Sequence, residues 1–286
     1  MTKSETIMKN HQPLSKSQSQ NTKKCREIKY IMKKILFLLF VPLVSCSQLS
    51  KNDLQEENLK GQVKSVKETA FNGVEKFGEV VKGELTDYQN VNALKKFNEE
   101  GNEIEIKHYS GDGRTLDYVE KLNYDKKGNR ILLEFYRDGK LEVVDKYQYD
   151  VERNRIEEQE YDSDGILSHV EKYKYDEKGN QIEIQRYNSN GTPEDSMKKY
   201  KYDENGSIIE EQTCYLSDGK CFTTLYKYKY DSKGNKIEEQ TNYPQTGGHS
   251  TIVSQYKYDS KGNWIIKIER QDRNLLYIER KIEYYE

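Results

Sequence analysis

From Phe97 onward the chain alternates aromatic and charged positions in short runs. In Tyr173-Lys174-Tyr175 and again in Tyr228-Lys229-Tyr230 the tyrosines recur at every second residue. A period of two places the tyrosines on one face of a strand and the lysines on the other. Each run ends in a turn with a readable mechanism. In "YDEKGN", Tyr175 to Asn180, the Asp176 side chain can accept from the backbone two residues on, and Gly179 takes the left-handed conformation that closes a three-residue hairpin with a bulge. A second kind of turn follows each return strand, as in "DSDG" at Asp162 to Gly165 and "NSNG" at Asn188 to Gly191. Two turns per unit predict two strands per unit.

The aromatic before the first turn recurs at Phe97, Tyr124, Tyr149, Tyr175, Tyr202, Tyr230 and Tyr258, a spacing of about 27 residues that falls in the range of repeat architectures. The expected fold is therefore all-β: tandem antiparallel β-hairpin repeats over 97–286, forming an elongated, curved or coiled meander sheet on the order of 65 Å long at the usual strand spacing. The register stays open. A three-residue turn pairs Tyr175 with Gln181 and sends Ile182 to the face opposite the tyrosine, whereas a four-residue loop puts Tyr175 and Ile182 together. Ahead of the repeats, "LKGQVKSVKETAFNG" and "FGEVVKGELTDY" read as irregular strands of an N-terminal β cap over 61–96. At the other end Trp264 and "YIERKIEYYE" suit a terminal unit that covers an exposed face.

The N-terminal part has a different pattern. From Met32, "MKKILFLLFVPLVSC" carries two lysines, a short apolar run from Ile35 to Val44 and the small Ser45 before Cys46, the parts of a secretory signal over 32–45. Leu43-Val44-Ser45-Cys46 resembles the lipobox of bacterial lipoproteins. That resemblance implies cleavage before Cys46 and acylation of this residue, with each buried methylene contributing about 0.8 kcal/mol to anchoring. Residues 1–31 are polar and without period, and read as an over-extended start or a removed extension. Residues 46–60 read as a tether. Ser47, where a retention signal would often place aspartate, points to the outer membrane of a Gram-negative cell. The expected location is thus the cell envelope, with a lipid anchor as the contact with the membrane.

Composition sharpens the picture. Of 286 residues, 34% are hydrophobic even with 24 tyrosines counted, and 34% are charged. So polar a chain has little to bury, yet its many tyrosines and isoleucines argue against disorder. A formal net charge of −2 gives no long-range pull toward nucleic acid. The Tyr-Lys alternation, which could suggest a nucleic-acid platform, separates aromatic and cation onto opposite faces.

Candidate chemistry is sparse. Cys214 and Cys221 flank a turn in "CYLSDGKC" and, outside the cytosol, are expected to form a cross-strand disulfide. His11, His108, His169 and His249 show no ligand spacing, and Lys178 and Lys233 interrupt any calcium-loop pattern, so no metal is expected. Carboxylate pairs such as Glu238-Glu239 recur in nearly every unit, whereas a catalytic pair would occur once. No nucleophile, phosphate loop or cofactor motif stands out. No enzyme activity, catalytic residue or cofactor is expected.

The Tyr-Asp-x-x-Gly-Asn cores at Tyr124–Asn129, Tyr175–Asn180, Tyr230–Asn235 and Tyr258–Asn263 resemble the YD repeat of the Rhs family. That family spirals β-sheet into hollow shells, some enclosing a toxic C-terminal domain. The units here are longer and fewer, and the third reads "YDVERN" without glycine. Leader and tyrosine rows together lead to an envelope-anchored lipoprotein whose sheet is a binding or scaffolding surface for an envelope protein or glycan. The YD resemblance implies an alternative, an immunity or accessory lipoprotein of a Rhs-type toxin system.

Overall fold

A computed structural model describes residues 52–86 and 91–286; residues 1–31, the leader over 32–45 and Cys46 lie outside the described residues. After a single-turn helix α1 (Asp53–Glu56), the chain runs through seventeen strands: β1 (Val63–Lys76), β2 (Glu79–Leu85), β3 (Ala93–Phe97), β4 (Glu103–Tyr109), β5 (Leu116–Tyr124), β6 (Arg130–Arg137), β7 (Lys140–Tyr149), β8 (Arg155–Asp162), β9 (Leu167–Tyr175), β10 (Gln181–Asn188), β11 (Pro193–Tyr202), β12 (Ile208–Tyr215), β13 (Cys221–Tyr230), β14 (Lys236–Tyr243), β15 (Gly248–Tyr258), β16 (Trp264–Gln271) and β17 (Asn274–Tyr284).

From β3 to β17 each strand pairs antiparallel with the next, as the hairpin pattern predicts. The expected open, elongated or coiled meander is overturned at the seam. β17 pairs along β1 from Val63↔Tyr284 to Asn72↔Leu276, and the other edge of β1 takes β3 at Ser65–Glu68 and β2 at Phe71–Lys76. The sheet is a closed antiparallel barrel of 16 strands. The physical reason is edge satisfaction. An open sheet of this width leaves two rows of unpaired backbone groups and must curl in any case, and β1 offers a partner for both ends of the repeat array. The segment read as a cap is thus the closing stave.

Turn chemistry decides the register. Tyr175 pairs with Gln181, and a bulge between Gln181 and Glu183 then sets Ile184 opposite Tyr173. Ile182, the bulged residue, is left half-exposed. The extra residue shifts the alternation, so tyrosine and the second isoleucine share a face without a longer loop. The same irregularity recurs beside Phe97, Tyr124, Tyr149, Tyr202, Tyr230 and Tyr258.

Tyr147 and Tyr173 are 8% and 6% exposed, while the Lys174 and Lys201 side chains on the other face are 70% and 67% exposed. The tyrosine face is therefore the interior. Among the described residues, buried apolar side chains cluster at one end, at Leu54, Leu59, Val63, Val66 and Phe97, and in a strip of Ala93, Ile106 and Leu122, with Ala70, Leu276 and Ile278 also buried.

Candidate functional site: two rims, an inner carboxylate cluster and an outer wall

Seven turns of the Tyr-Asp-x-x-Gly-Asn kind line one rim. In each of those with the full motif the aspartate accepts from the backbone two and four residues on: Asp176 takes Lys178 N and Asn180 N at 2.9 Å each, and its other oxygen takes Asn180 Nδ2 at 2.9 Å. These bonds hold the Asp176 carboxyl below its ordinary range. In the unit without glycine, Arg153 itself adopts a φ of +73°. Its guanidinium reaches back to Asn129 Oδ1 at 2.9 Å and to the Lys127 carbonyl, tying two neighbouring turns.

The tyrosines before these turns bond to the preceding hairpin. Tyr149, Tyr175, Tyr202 and Tyr256 donate to the carbonyls of Arg130, Arg155, Gln181 and Lys236 at 2.6–2.8 Å. Tyr258 and Tyr284 reach Asp231 and Asp259 instead. Tyr285 crosses the seam to the Phe97 carbonyl at 2.5 Å. The regular spacing of the motif is thus the spacing of an inter-hairpin ladder.

Residues 52–62 lie across this rim. Asn52 caps α1 and donates to the Glu100 carbonyl at 2.7 Å. Asp53 accepts from Glu103 N and Tyr124 OH at 2.7 Å each and from Arg130 Nη2 at 3.3 Å. On the far side Asn58 Nδ2 donates to the Lys233 carbonyl at 3.0 Å, and Lys60 N to Asn263 Oδ1 at 2.7 Å. The segment therefore bridges turns between β3 and β6 to turns between β13 and β16. In the stretch read as a tether, residues 52–60 are a strap over the barrel end.

Inside, β7, β8 and β9 bring Asp145, Glu158, Glu160 and Glu171 together. Glu158 pairs directly with Glu171, and Asp145 with Glu160, although like charges opposite one another are unfavourable. Tyr173 OH lies 2.8 Å from both Glu158 and Glu171, with one hydrogen to give. Compensation comes from Arg155, 3.2 Å from Glu158 and 4.4 Å from the Tyr173 ring centre, and from Arg186, 4.0 Å from Glu160; His169 lies 3.2 Å from Glu160. Asp145 Oδ1 is buried without a hydrogen-bond partner. Burial, then the charges of Glu158, Glu160 and Glu171, push its carboxyl up to about 7. Burial, with Glu158 and Glu171 acting against Arg155, raises the Tyr173 hydroxyl. At the strapped end, burial pushes Glu103 up to about 7 despite Lys95 at 3.1 Å.

On the outer wall Lys96–Glu105, Lys174–Glu183, Lys201–Glu210 and Lys229–Glu238 form ion pairs of 2.6–3.0 Å, and Ile104, Ile131, Ile156, Ile182 and Ile209 are 36–42% exposed.

Cys214 and Cys221 pair in register on β12 and β13 and are bonded, with Sγ–Sγ at 2.08 Å. His108 stacks on Tyr118 at 4.1 Å and faces Glu120, so the histidines on β4 and β9 belong to separate inner-face groups. Trp264 packs under Arg280 at 3.5 Å, beside the seam. Among the described residues no three His, Cys, Asp or Glu side chains converge in a metal-binding arrangement. Sequence reading missed the Asp145 cluster, since its members are spread over two repeats; the outlying signal was an aspartate, Asp145, at the period-two position between Val143 and Tyr147.

No family model matches the chain, and no curated relative matches it. Solved structures similar to it include a porin-like protein from Bacteroides uniformis, at 9% identity and a TM-score of 0.48, covering 78% of this chain and 98% of that one. A porin-like protein from Bacteroides vulgatus is similar at 11% identity and a TM-score of 0.38, covering 78% and 99%. A TcdB2–TccC3–Cdc42 structure is similar at 13% identity and a TM-score of 0.30, over 75% of this chain and 12% of that one.

Proposed function

We propose that this chain is an envelope lipoprotein anchored through Cys46, whose barrel is a water-facing scaffold that meets an envelope protein or glycan at the rim away from the anchor. The observation that carries this reading is the strap. Asn52 is fixed on the Tyr-Asp turn rim, and the six residues from Cys46 to Asn52 extend at most about 20 Å, which keeps that rim beside the membrane. The opposite rim then points away, with the varied second turns. The inward tyrosines serve the ladder and the cluster, so recognition moves from the sheet face to this outer rim. The outer Lys–Glu pairs suit a scaffold surrounded by water.

Two measurements test it. Wild-type protein should incorporate palmitate and fractionate with membranes, and Cys46→Ala should do neither. In intact cells, a cross-linker at Ile166 on the outward rim should capture a specific protein or glycan, while one at Lys178 should capture lipid or nothing. Unlabelled wild-type protein, or capture only from Lys178, would overturn the proposal.

A further inference from the structure

The hairpin of β1 and β2 rises past the barrel. β1 pairs with β17 only as far as Asn72; beyond it, Gly73↔Lys82, Val74↔Val81, Glu75↔Val80 and Lys76↔Glu79 pair as a two-stranded ribbon. Its turn is Phe77-Gly78, with φ of +52° and +83°. Two consecutive left-handed residues make the turn that Asn-Gly or Gly-Gly ordinarily supplies. A bulky aromatic in the first position is a backbone outlier, and the ring gains nothing in return within the barrel: Phe77 is 106% exposed. Strain without internal packing marks a position kept for an external contact.

The ribbon is held upright. Arg270 bonds Glu75 at 2.6 Å and Lys82 bonds Glu279 at 2.9 Å, with the Lys82 ammonium 4.5 Å from the Phe71 ring centre. Pre-organisation of this kind lowers the entropic cost of binding. Among the described residues β2 has a pairing register with β1 alone, shifted once between Phe71 and Gly73, so its outward edge can take an added strand.

We propose that this hairpin is a docking element for a partner protein that receives the Phe77 ring in an apolar pocket and lays an extended segment along β2. The proposal rests on the outward rim as the recognition surface. Two observations select a protein over a bilayer. Asn52, where the described chain begins, lies at the other rim. Charges of both signs, Glu75, Lys76, Glu79 and Lys82, also surround the tip; such a collar opposes entry into hydrocarbon but forms a polar rim around an interface anchor.

The test uses the full lipidated chain with a photo-cross-linking residue at Glu79, in parallel with Phe77→Asn, which suits the left-handed turn. The expected result is a cross-link to one protein, mapped to an extended segment. That protein, purified, should bind wild type and bind Phe77→Asn at least tenfold more weakly, while Phe77→Asn melts no lower than wild type. Cross-links to phospholipid, to residues 1–51 of this chain, to a second copy, or to nothing would each overturn it. Palmitate labelling of the same samples shows separately whether the anchor reading has failed.

Discussion

Tyr175 on β9 donates its hydroxyl hydrogen to the backbone carbonyl of Arg155 at 2.7 Å, a bond from one hairpin to the first strand residue of the return arm before it. Arg155 occupies the position just after the motif asparagine, where the bulge opens the ladder and leaves a carbonyl to be satisfied. The tyrosine supplies the missing donor, one repeat later. The motif therefore encodes turn, bulge and repair together at Tyr149, Tyr175 and Tyr202, while the hydroxyls of Tyr124, Tyr230 and Tyr258 bond to the side chains of Asp53, Ser207 and Asp231.

Replacing that hydroxyl should cost what a half-buried hydrogen bond is worth. Tyr175→Phe keeps the ring and removes the donor, so about 1 kcal/mol of stability should be lost. Tyr149→Phe and Tyr202→Phe act on separate hairpins, and the triple variant should lose about 3 kcal/mol by near-additivity. Denaturant melts of the single and triple variants measure both; an unchanged triple variant would remove the ladder from the account of stability.

Asp53 holds the strap at three points, through Glu103 N, Tyr124 OH and Arg130. Asp53→Ala leaves an amide, a hydroxyl and a guanidinium short of their acceptor, and hydrogen bonds to a charged group are worth about 1.5–3 kcal/mol each before relaxation. The variant should melt lower and be cut faster by protease between residues 52 and 62, with the strands still protected. Cleavage unchanged from wild type would mean that the Asn58 and Lys60 contacts alone hold the strap.

The hairpins were legible because their signals are local: alternation gives the strands, and Asp-x-x-Gly-Asn gives the turns within six residues. Closure was not. It depends on Val63–Asn72 meeting Leu276–Tyr284 across more than two hundred residues, and the β1 sequence, with Lys64, Lys67 and Glu68 among Val63, Val66 and Ala70, shows no clean period. The bulge at Ile182 was hidden for a related reason. Turn chemistry and hydrophobic pairing favoured different registers, and an inserted residue satisfies both. The Asp145 cluster arises only once closure and bulges have fixed which side chains face inward.

Cys214 and Cys221 close a short loop between β12 and β13. Chain-entropy reasoning for a loop of this size gives about 2–3 kcal/mol of stabilisation. Purified protein should resist alkylation until reduced, and Cys214→Ser/Cys221→Ser should melt lower by a corresponding amount. Full alkylation without reductant would show that the bond does not form in the exported protein.

Asp145 gives the interior a pH dependence with a definite sign. Its carboxyl is pushed up to about 7 by burial and by Glu158, Glu160 and Glu171, against about 3.9 in an unfolded chain. Facing it are Leu133 from β6, Glu160 and Glu158 with Arg155 from β8, and His169, Glu171 and Tyr173 from β9. Between these two values the native state holds a proton that the unfolded chain has released. Its contribution is therefore full below about pH 4, falls as pH rises toward 7, and is gone above that. Glu103, also raised to about 7, adds a slope of the same sign. Asp145→Asn keeps the shape and removes the charge, so it should melt with wild type near pH 4, melt above it at pH 8, and retain only the Glu103 share of the slope between. Parallel melting curves across the whole range would show that the four inner carboxylates settle their charge without a proton on Asp145.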